Sequence, residues 1–288
     1  MSKSLGYRVA SALAPRNECT AISTFMQDSD LRYCARVITS QEDRIAFFRQ
    51  FIDGSQALSV ALENRVVEDG DGWQIRLTEW PYPVFNRVLI HTDRPEAMVE
   101  VDAILEKHKI PVQINLVGSG LEHTKALQDA GYILRRATPF MIWVTDDSQD
   151  TFALRDGLSV QHLDASSLDI LKQIYKEVYE FSDEVIDLMG RILFASPLAN
   201  TYGLFKDDEI VSVVMAIEYQ GTIGIWNMGT PIAHQKNGYG EQLLRHVMKR
   251  YKDLGAEKFF LTSSSAGKAL YDKCGWQVVD YIPLFTKP

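Results

Sequence analysis

The segment Gln235-Lys236-Asn237-Gly238-Tyr239-Gly240 joins a strand-rich stretch to an amphipathic helix, and that junction limits the folds open to the chain. Upstream, Thr201–Lys206, Ile210–Tyr219 and Thr222–Met228 are rich in Val, Ile, Tyr and Phe. Asp207-Asp208-Glu209 and Gln220-Gly221 separate them, which predicts hairpins and an antiparallel meander. Downstream, Glu241–Leu254 sets Leu243, Leu244, Val247 and Met248 on one helical face, with Gly255 as its C-terminal cap. Glycines between strand and helix admit backbone conformations closed to other residues. The first N–H groups of the helix have no partners within it, so they offer an anion site. From Gln235 to Lys258 there are six basic and three acidic side chains, a local excess of positive charge in a chain of net charge −8. The segment lacks the Gly-Lys-Ser/Thr of a Walker loop. It also lacks the third glycine of the dinucleotide motif, where Leu243 stands. On the glycines alone, a tight turn and a phosphate cradle are equally open.

Around this junction residues 151–288 alternate regularly. Leu158–Leu163 predicts a strand, and Asp164-Ala165-Ser166-Ser167 supplies N-cap residues for a helix through Leu168, Leu171, Ile174, Tyr175 and Val178. Asp183–Phe194 repeats the helical period and stops before Pro197. After the meander and its helix come a strand at Lys258–Thr262, a short helix at Ser265–Lys273 and a strand at Val278–Phe285.

The first half is harder to read. Strands are expected at Ser59–Val67, Trp73–Thr78, Arg87–His91, Val112–Val117 and Pro139–Val144, and helices at Pro95–His108 and Leu121–Ala130. Residues 1–55 look partly helical and have no assigned place. The polar, acidic Thr145–Asp150 is the candidate linker. An internal repeat links the halves: Gly131-Tyr132 matches Gly275-Trp276, and the same offset lays Val117 on Leu261 and Ser119 on Ser263.

At the glycine segment the sequence resembles the GCN5-related N-acetyltransferase (GNAT) superfamily, whose signature is Gln/Arg-x-x-Gly-x-Gly/Ala. Gln235, Gly238 and Gly240 fit it, and Leu270-Tyr271 followed by Gly275-Trp276 resembles the family's second signature. The resemblance implies an α+β fold of tandem GNAT-like mixed sheets flanked by helices, with the C-terminal repeat intact. It divides the chain into a degenerate GNAT-like domain at 1–147 and an acetyl-CoA-binding catalytic domain at 151–288. It also implies roles. Backbone groups near Met228 and Thr230 would bind the pantetheine arm as a pseudo-strand. The loop of Gln235, Lys236, Asn237, Gly238, Tyr239, Gly240 and Glu241 would hold the pyrophosphate through its N–H groups from Lys236 to Glu241. Ser264 stands where many relatives carry an Asn touching the cosubstrate. Tyr271 would protonate the departing thiolate. A phenol suits that task because its ordinary pKa lies near that of a thiol. By the repeat offset Leu127 falls where Tyr271 stands, and His91-Thr92-Asp93-Arg94 replaces the glycine segment. Pro95 removes an N–H there and Asp93 would repel phosphate, so the first half is expected to bind no cosubstrate.

No general base is legible. Glu218, Asp183 and Glu184 are the available carboxylates, Asn227 can line a pocket, and Trp226 is better suited to packing. The six histidines show no metal-ligand spacing, so no metal is expected. Gly118-Ser119-Gly120 is not a nucleophile elbow, and Cys274 reads as packing. Residues 1–147 carry 16 basic and 20 acidic side chains and residues 148–288 carry 14 and 18, so neither half has the basic bias of a nucleic-acid binder. Three scattered cysteines form no disulfide framework, which suits a cytoplasmic protein. Val9–Ala14 faintly resembles a signal peptide but is short and interrupted by Ser11, and no segment has the length of a membrane helix.

The expected activity is transfer of an acetyl group from acetyl-CoA, as cosubstrate, to the primary amine of a small molecule or peptide. The chain is expected to be a monomer or homodimer. The alternative is a non-catalytic acyl-CoA-binding or protein-interaction module on the same scaffold.

Overall fold

The computed structural model describes residues 41–56, 62, 65–144 and 152–288. Eleven strands form one sheet: β1 (Val66–Gly70), β2 (Trp73–Leu77), β3 (Arg87–Ile90), β4 (Gln113–Leu116), β5 (Ile133–Val144), β6 (Leu158–Leu163), β7 (Ala199–Lys206), β8 (Glu209–Tyr219), β9 (Thr222–Gly229), β10 (Lys258–Thr262) and β11 (Gln277–Thr286). Helices are α1 (Gln41–Gln56), α2 (Pro95–His108), α3 (Thr124–Asp129), α4 (Leu168–Tyr179), α5 (Asp183–Ile192), α6 (Tyr239–Asp253) and α7 (Ser265–Lys273). The expected linker, the signal-like stretch, Cys19 and Cys34 lie outside the described residues.

The strand order is β1-β2-β3-β4-β11-β5-β10-β9-β8-β7-β6. Two strands are exchanged at its centre. β11, from the end of the second repeat, lies between β4 and β5 of the first, and β5 lies between β10 and β11 of the second. The expected tandem sheets are thus a single mixed sheet. The repeat offset carries α2 onto α6, β4 onto β10, α3 onto α7 and β5 onto β11. It also pairs Thr138 with Ile282, residues equivalent under that offset, so a pseudo-twofold axis passes between them. Pro139 and Pro283 are likewise equivalent, and each sits beside the axis where it gives no N–H to the ladder.

The helices divide by face. α6 and α7 cover one core with Leu243, Leu244, Val247 and Tyr271 against Val214, Ile225 and Leu261. α2 and α3 cover the equivalent core of the first repeat through Val101 and Leu127. Phe47, Phe48, Phe51 and Ile52 of α1 pack on Leu89, Phe140, Phe260 and Ile282, which bridges the repeats. Arg76 of β2 fixes α1 to the sheet through Asp53 at 2.7 Å. α4 and α5 bury Leu171, Ile174, Tyr175 and Met189 against Val213, Met215 and Ile217. Ser182 caps α5, its side chain accepting from the Val185 N–H.

Candidate active site

The site begins with two neighbouring strands that part. β9 and β10 are parallel and pair only through Thr222–Gly224 with Lys258–Phe260. Beyond Gly224, β9 continues to Gly229 and β10 to Thr262 with no pairing between them. Backbone groups facing such a gap need partners from elsewhere, so it can receive a chain that pairs like a strand. A bulge widens it. Val213 pairs with Gly229 and Met215 with Trp226, which sets Asn227 and Met228 against Val214 alone. Asn227 takes up the extra residue with a φ of 45°, in the left-handed region.

At the mouth of the gap lies the glycine loop. Lys236 and Gly238 both have positive φ, 62° and 75°, and Gly238 caps α6 from that conformation. Among the described residues the backbone N–H groups from Lys236 to Glu241 donate to no acceptor; the next, that of Gln242, donates to the Gly238 carbonyl at 3.1 Å. The loop is held by its own amides. Gln235 donates to the Thr230 carbonyl at 3.1 Å, and Asn237 donates to the carbonyls of His234 and Gln235 at 3.1 Å each. Gln235 and Asn237 therefore brace the loop by side chain. Thr230 shares a hydrogen bond with Ser212, at 2.9 Å. Glu241 is turned to Arg245 and Lys273, which lower its pKa and offset its charge near the helix start. Lys236 and Tyr239 flank the loop, and the Lys236 side chain is exposed.

Two phenols stand at Met228, on the unpaired stretch of β9. Tyr271 of α7 is 8% exposed, its ring packs edge-on to Trp276 at 5.9 Å, and its hydroxyl lies 3.7 Å from Met228 Sδ. Burial, with Cys274 nearby, pushes its pKa up to about 12. Tyr179, at the end of α4, donates to the Met228 carbonyl at 2.6 Å, so that carbonyl is already engaged. Burial raises the Tyr179 pKa well above the ordinary phenol value. Ser264 is the N-cap of α7, accepting from the Gly267 N–H at 3.1 Å, with its own hydroxyl proton free for another partner.

Two residues of this arrangement escape sequence reading. Tyr179 lies on a helix whose period fits packing, and nothing in its spacing points to Met228. Arg155 lies beside the expected linker, yet it donates to the Asn237 carbonyl at 2.8 Å and stacks over Tyr239 at 5.5 Å. Its backbone N–H donates to Gln242 Oε1 at 3.0 Å. The candidate bases are not gathered at the gap. Asp183 pairs with Lys176 on the surface, Glu184 is exposed, and Glu218 pairs with Ile223 at the hairpin end of β8 and β9, away from Met228. Trp226 packs against Phe51, with ring centroids 4.4 Å apart. Cys274 is buried and its thiol is pushed up to about 11, which suits packing. Among the described residues no cluster of His, Cys, Asp and Glu could hold a metal, and no helix is long and apolar enough to cross a membrane.

Residues 168–276 match the acetyltransferase (GNAT) family. Across most of its length the chain is similar in structure to a GCN5-related N-acetyltransferase from Kribbella flavida, with TM-score 0.65, 12% identity, and 88% of this chain and 96% of that one covered. It is also similar to a functionally unknown conserved protein from Staphylococcus epidermidis (TM-score 0.58, 12% identity, 80% and 96% covered). A third similar structure is a tandem GNAT protein from the clavulanic acid biosynthesis pathway (TM-score 0.56, 12% identity, 81% and 87% covered). No curated protein sequence matches the chain. At such identities the likeness is one of fold. The second half thus matches the GNAT family over residues 168–276, and the mixed sheet with its flanking helices has the GNAT fold in tandem form.

Proposed function

We propose that the chain is an N-acetyltransferase that moves an acetyl group from acetyl-CoA directly to a primary amine. The observation that carries this reading is the gap between β9 and β10, with unpartnered N–H groups at its mouth and the Tyr271 hydroxyl against Met228 on its unpaired strand. The N–H groups from Lys236 to Glu241 and the start of α6 suit a pyrophosphate. The parted strand edges near Met228 and Thr230 suit an amide-bearing arm. Tyr179 uses one lone pair of the Met228 carbonyl, which leaves the other for an amide of the arm. Ser264 offers its hydroxyl proton. Arg155 adds positive charge beside the loop.

In the reaction the amine nitrogen bonds to the acetyl carbon and the carbon–sulfur bond breaks. The sulfur takes a proton from Tyr271, and the proton lost by nitrogen passes to water. A phenol with a pKa near 12 stays protonated at neutral pH, so its proton is in place when the thiolate forms, but burial has moved it above the thiol range and made it a weaker acid than its ordinary value implies. In this reading 151–288 is the catalytic domain, 1–147 is a domain that has lost the chemistry, and the acceptor is a small amine or peptide handled in the cytoplasm.

Turnover of acetyl-CoA with a panel of amines tests the reading. Release of free thiol with a matching acetylated amine is the expected result; cosubstrate binding without turnover on any amine would favour a non-catalytic binding module. The pH profile is a second check. Because the Tyr271 pKa is raised, loss of its proton sets in only above the ordinary phenol range, and kcat shows no decline from this group between pH 8 and about 10.

A further inference from the structure

β3 and β9 occupy equivalent places in the two repeats, and four strands lie between them in the sheet. Yet the Arg87 guanidinium of β3 lies 5.7 Å from the Trp226 ring of β9, and 5.4 Å from the Phe51 ring of α1. The two side chains meet beside Phe51 of α1, so the sheet must curl toward α1 to bring the two repeats together on that face, and the hollow of this curl is a concavity. The turn before β3 is firmly placed. Asn86 donates to the carbonyls of Trp80, Tyr82 and Pro111, and accepts from Thr78. Tyr82, Val84 and Phe85 then pack against the core beneath α4 and α5. The concavity is thereby walled by both repeats.

Within it, Arg87 is half-buried and makes no hydrogen bond or ion pair with any described residue. Among the described residues, the charged group that acts on it is Arg136, of like sign. Burial and Arg136 together pull its pKa down to about 10, the direction expected of a cation with no counter-charge. Beside it the Trp226 indole N–H is buried and also has no acceptor among the described residues. Two adjacent donors, one of them a cation, therefore share a lack of acceptors, although buried polar groups in folded proteins are ordinarily satisfied. Trp226 is two residues from Met228, toward which the Tyr271 and Tyr179 hydroxyls are directed. The indole N–H lies over Gly224, four residues from Met228, so at the rise of a strand it stands about 13 Å from the reacting end of the gap.

We propose that Arg87 and the Trp226 N–H form an acceptor subsite for a carboxylate, so that the amine acetylated by this chain carries a carboxylate at its far end. A carboxylate accepts from a guanidinium through two parallel hydrogen bonds and has a lone pair left for the indole. The inference rests on the transferase reading and names its acceptor class. Arg136, exposed at the edge of the concavity, adds attraction for the same charge.

The test compares ω-amino acids of increasing length with n-alkylamines of the same lengths, with acetyl-CoA as donor. At the best length the carboxylated amine is expected to show a kcat/KM about 10- to 100-fold above its alkylamine partner. In Arg87→Gln that ratio falls toward one, and Arg87→Lys recovers part of it. Thermal melting confirms that the variants fold. If wild type shows no preference for the carboxylate at any length, or if the preference survives Arg87→Gln, the subsite is refuted. Calorimetry with the ω-amino acids alone separates the two readings. Binding that Arg87→Gln abolishes, without turnover, would sustain the subsite and sink the transferase; turnover of alkylamines with no carboxylate preference would do the reverse.

Discussion

The two repeats place a parallel strand pair in the same position and treat it differently. In the second, β9 and β10 pair over three residues and then part. In the first, β3 and β4 stay paired over their whole length, from Arg87 with Gln113 to Ile90 with Leu116. Beyond them the Val117 N–H donates to the Ile90 carbonyl, and Gly120 lies so close that a Cβ there would meet the same carbonyl oxygen at 2.2 Å. The first gap is closed with its own backbone. The turn that follows differs as well: β3 reaches α2 through His91–Arg94, and Arg94 is tied to Asp71 and Glu100. Leu127, fully buried, fills the place of Tyr271. One fold thus serves as a site where its strands part and as a wall where they do not.

The comparison breaks first at the glycine loop. Calorimetry is expected to find one acetyl-CoA site per chain, and the Gly238→Asp, Gly240→Asp double variant is expected to lose it altogether. Gly238 has a left-handed φ that other residues rarely adopt, a Cβ at Gly240 would press on Met228 at 3.2 Å, and both changes add negative charge where phosphates approach. Two equivalent sites in the wild type would overturn the closed-gap account of the first repeat. Next in size is Tyr271→Phe, for which turnover should fall by roughly 10²–10⁴. Its melting temperature should barely move, since the hydroxyl's interaction is a weak one with Met228 sulfur; near-native turnover on the true acceptor would remove the acid assignment. Arg155→Ala is expected to weaken acetyl-CoA about tenfold, the size of effect that follows when one charge-assisted hydrogen bond is removed. Unchanged affinity would reduce Arg155 to a surface residue. The smallest effect is at Ser264→Ala, where removing the cap should cost about 1 kcal/mol in denaturant unfolding. A fall in cosubstrate affinity larger than that would mean that Ser264 touches the cosubstrate directly.

The chain announces its elements more clearly than their partners. The order from β6 to β11 follows from period and punctuation, and the repeat offset aligns elements through both halves. The departures have physical causes. Pro139 and the charged pair Arg135-Arg136 make β5 look as if it begins at 139, whereas it runs from Ile133, because a strand beside a pseudo-axis can place a proline where no N–H is needed. The strand expected at Ser59–Val67 falls mostly outside the described residues; the first described strand, Val66–Gly70, runs on past Val67 because the acidic residues of Glu68–Asp69 are tolerated on an edge strand. Leu121–Ala130 divides into a 3-10 turn and the shorter α3. The strand exchange leaves no local mark, since periodicity says that a segment is a strand and is silent on which strand it meets. Arg155, Tyr179 and Arg87 are hidden for the same reason: each gains its meaning from a residue far away in sequence.

The exchanged strands also set the order in which the chain can be assembled. The first repeat cannot complete its sheet by itself, because the place between β4 and β5 belongs to β11, which emerges after every other strand. Until then β4 and β5 present unpaired edges, the kind of surface that recruits another nascent chain. Pairings of such long sequence separation also slow folding, since loop closure precedes any reward from them. When β11 arrives it closes both repeats at once, so the final folding step is expected to be cooperative across the molecule rather than domain by domain. A nascent first repeat would then depend on chaperones to a degree that its own size does not suggest.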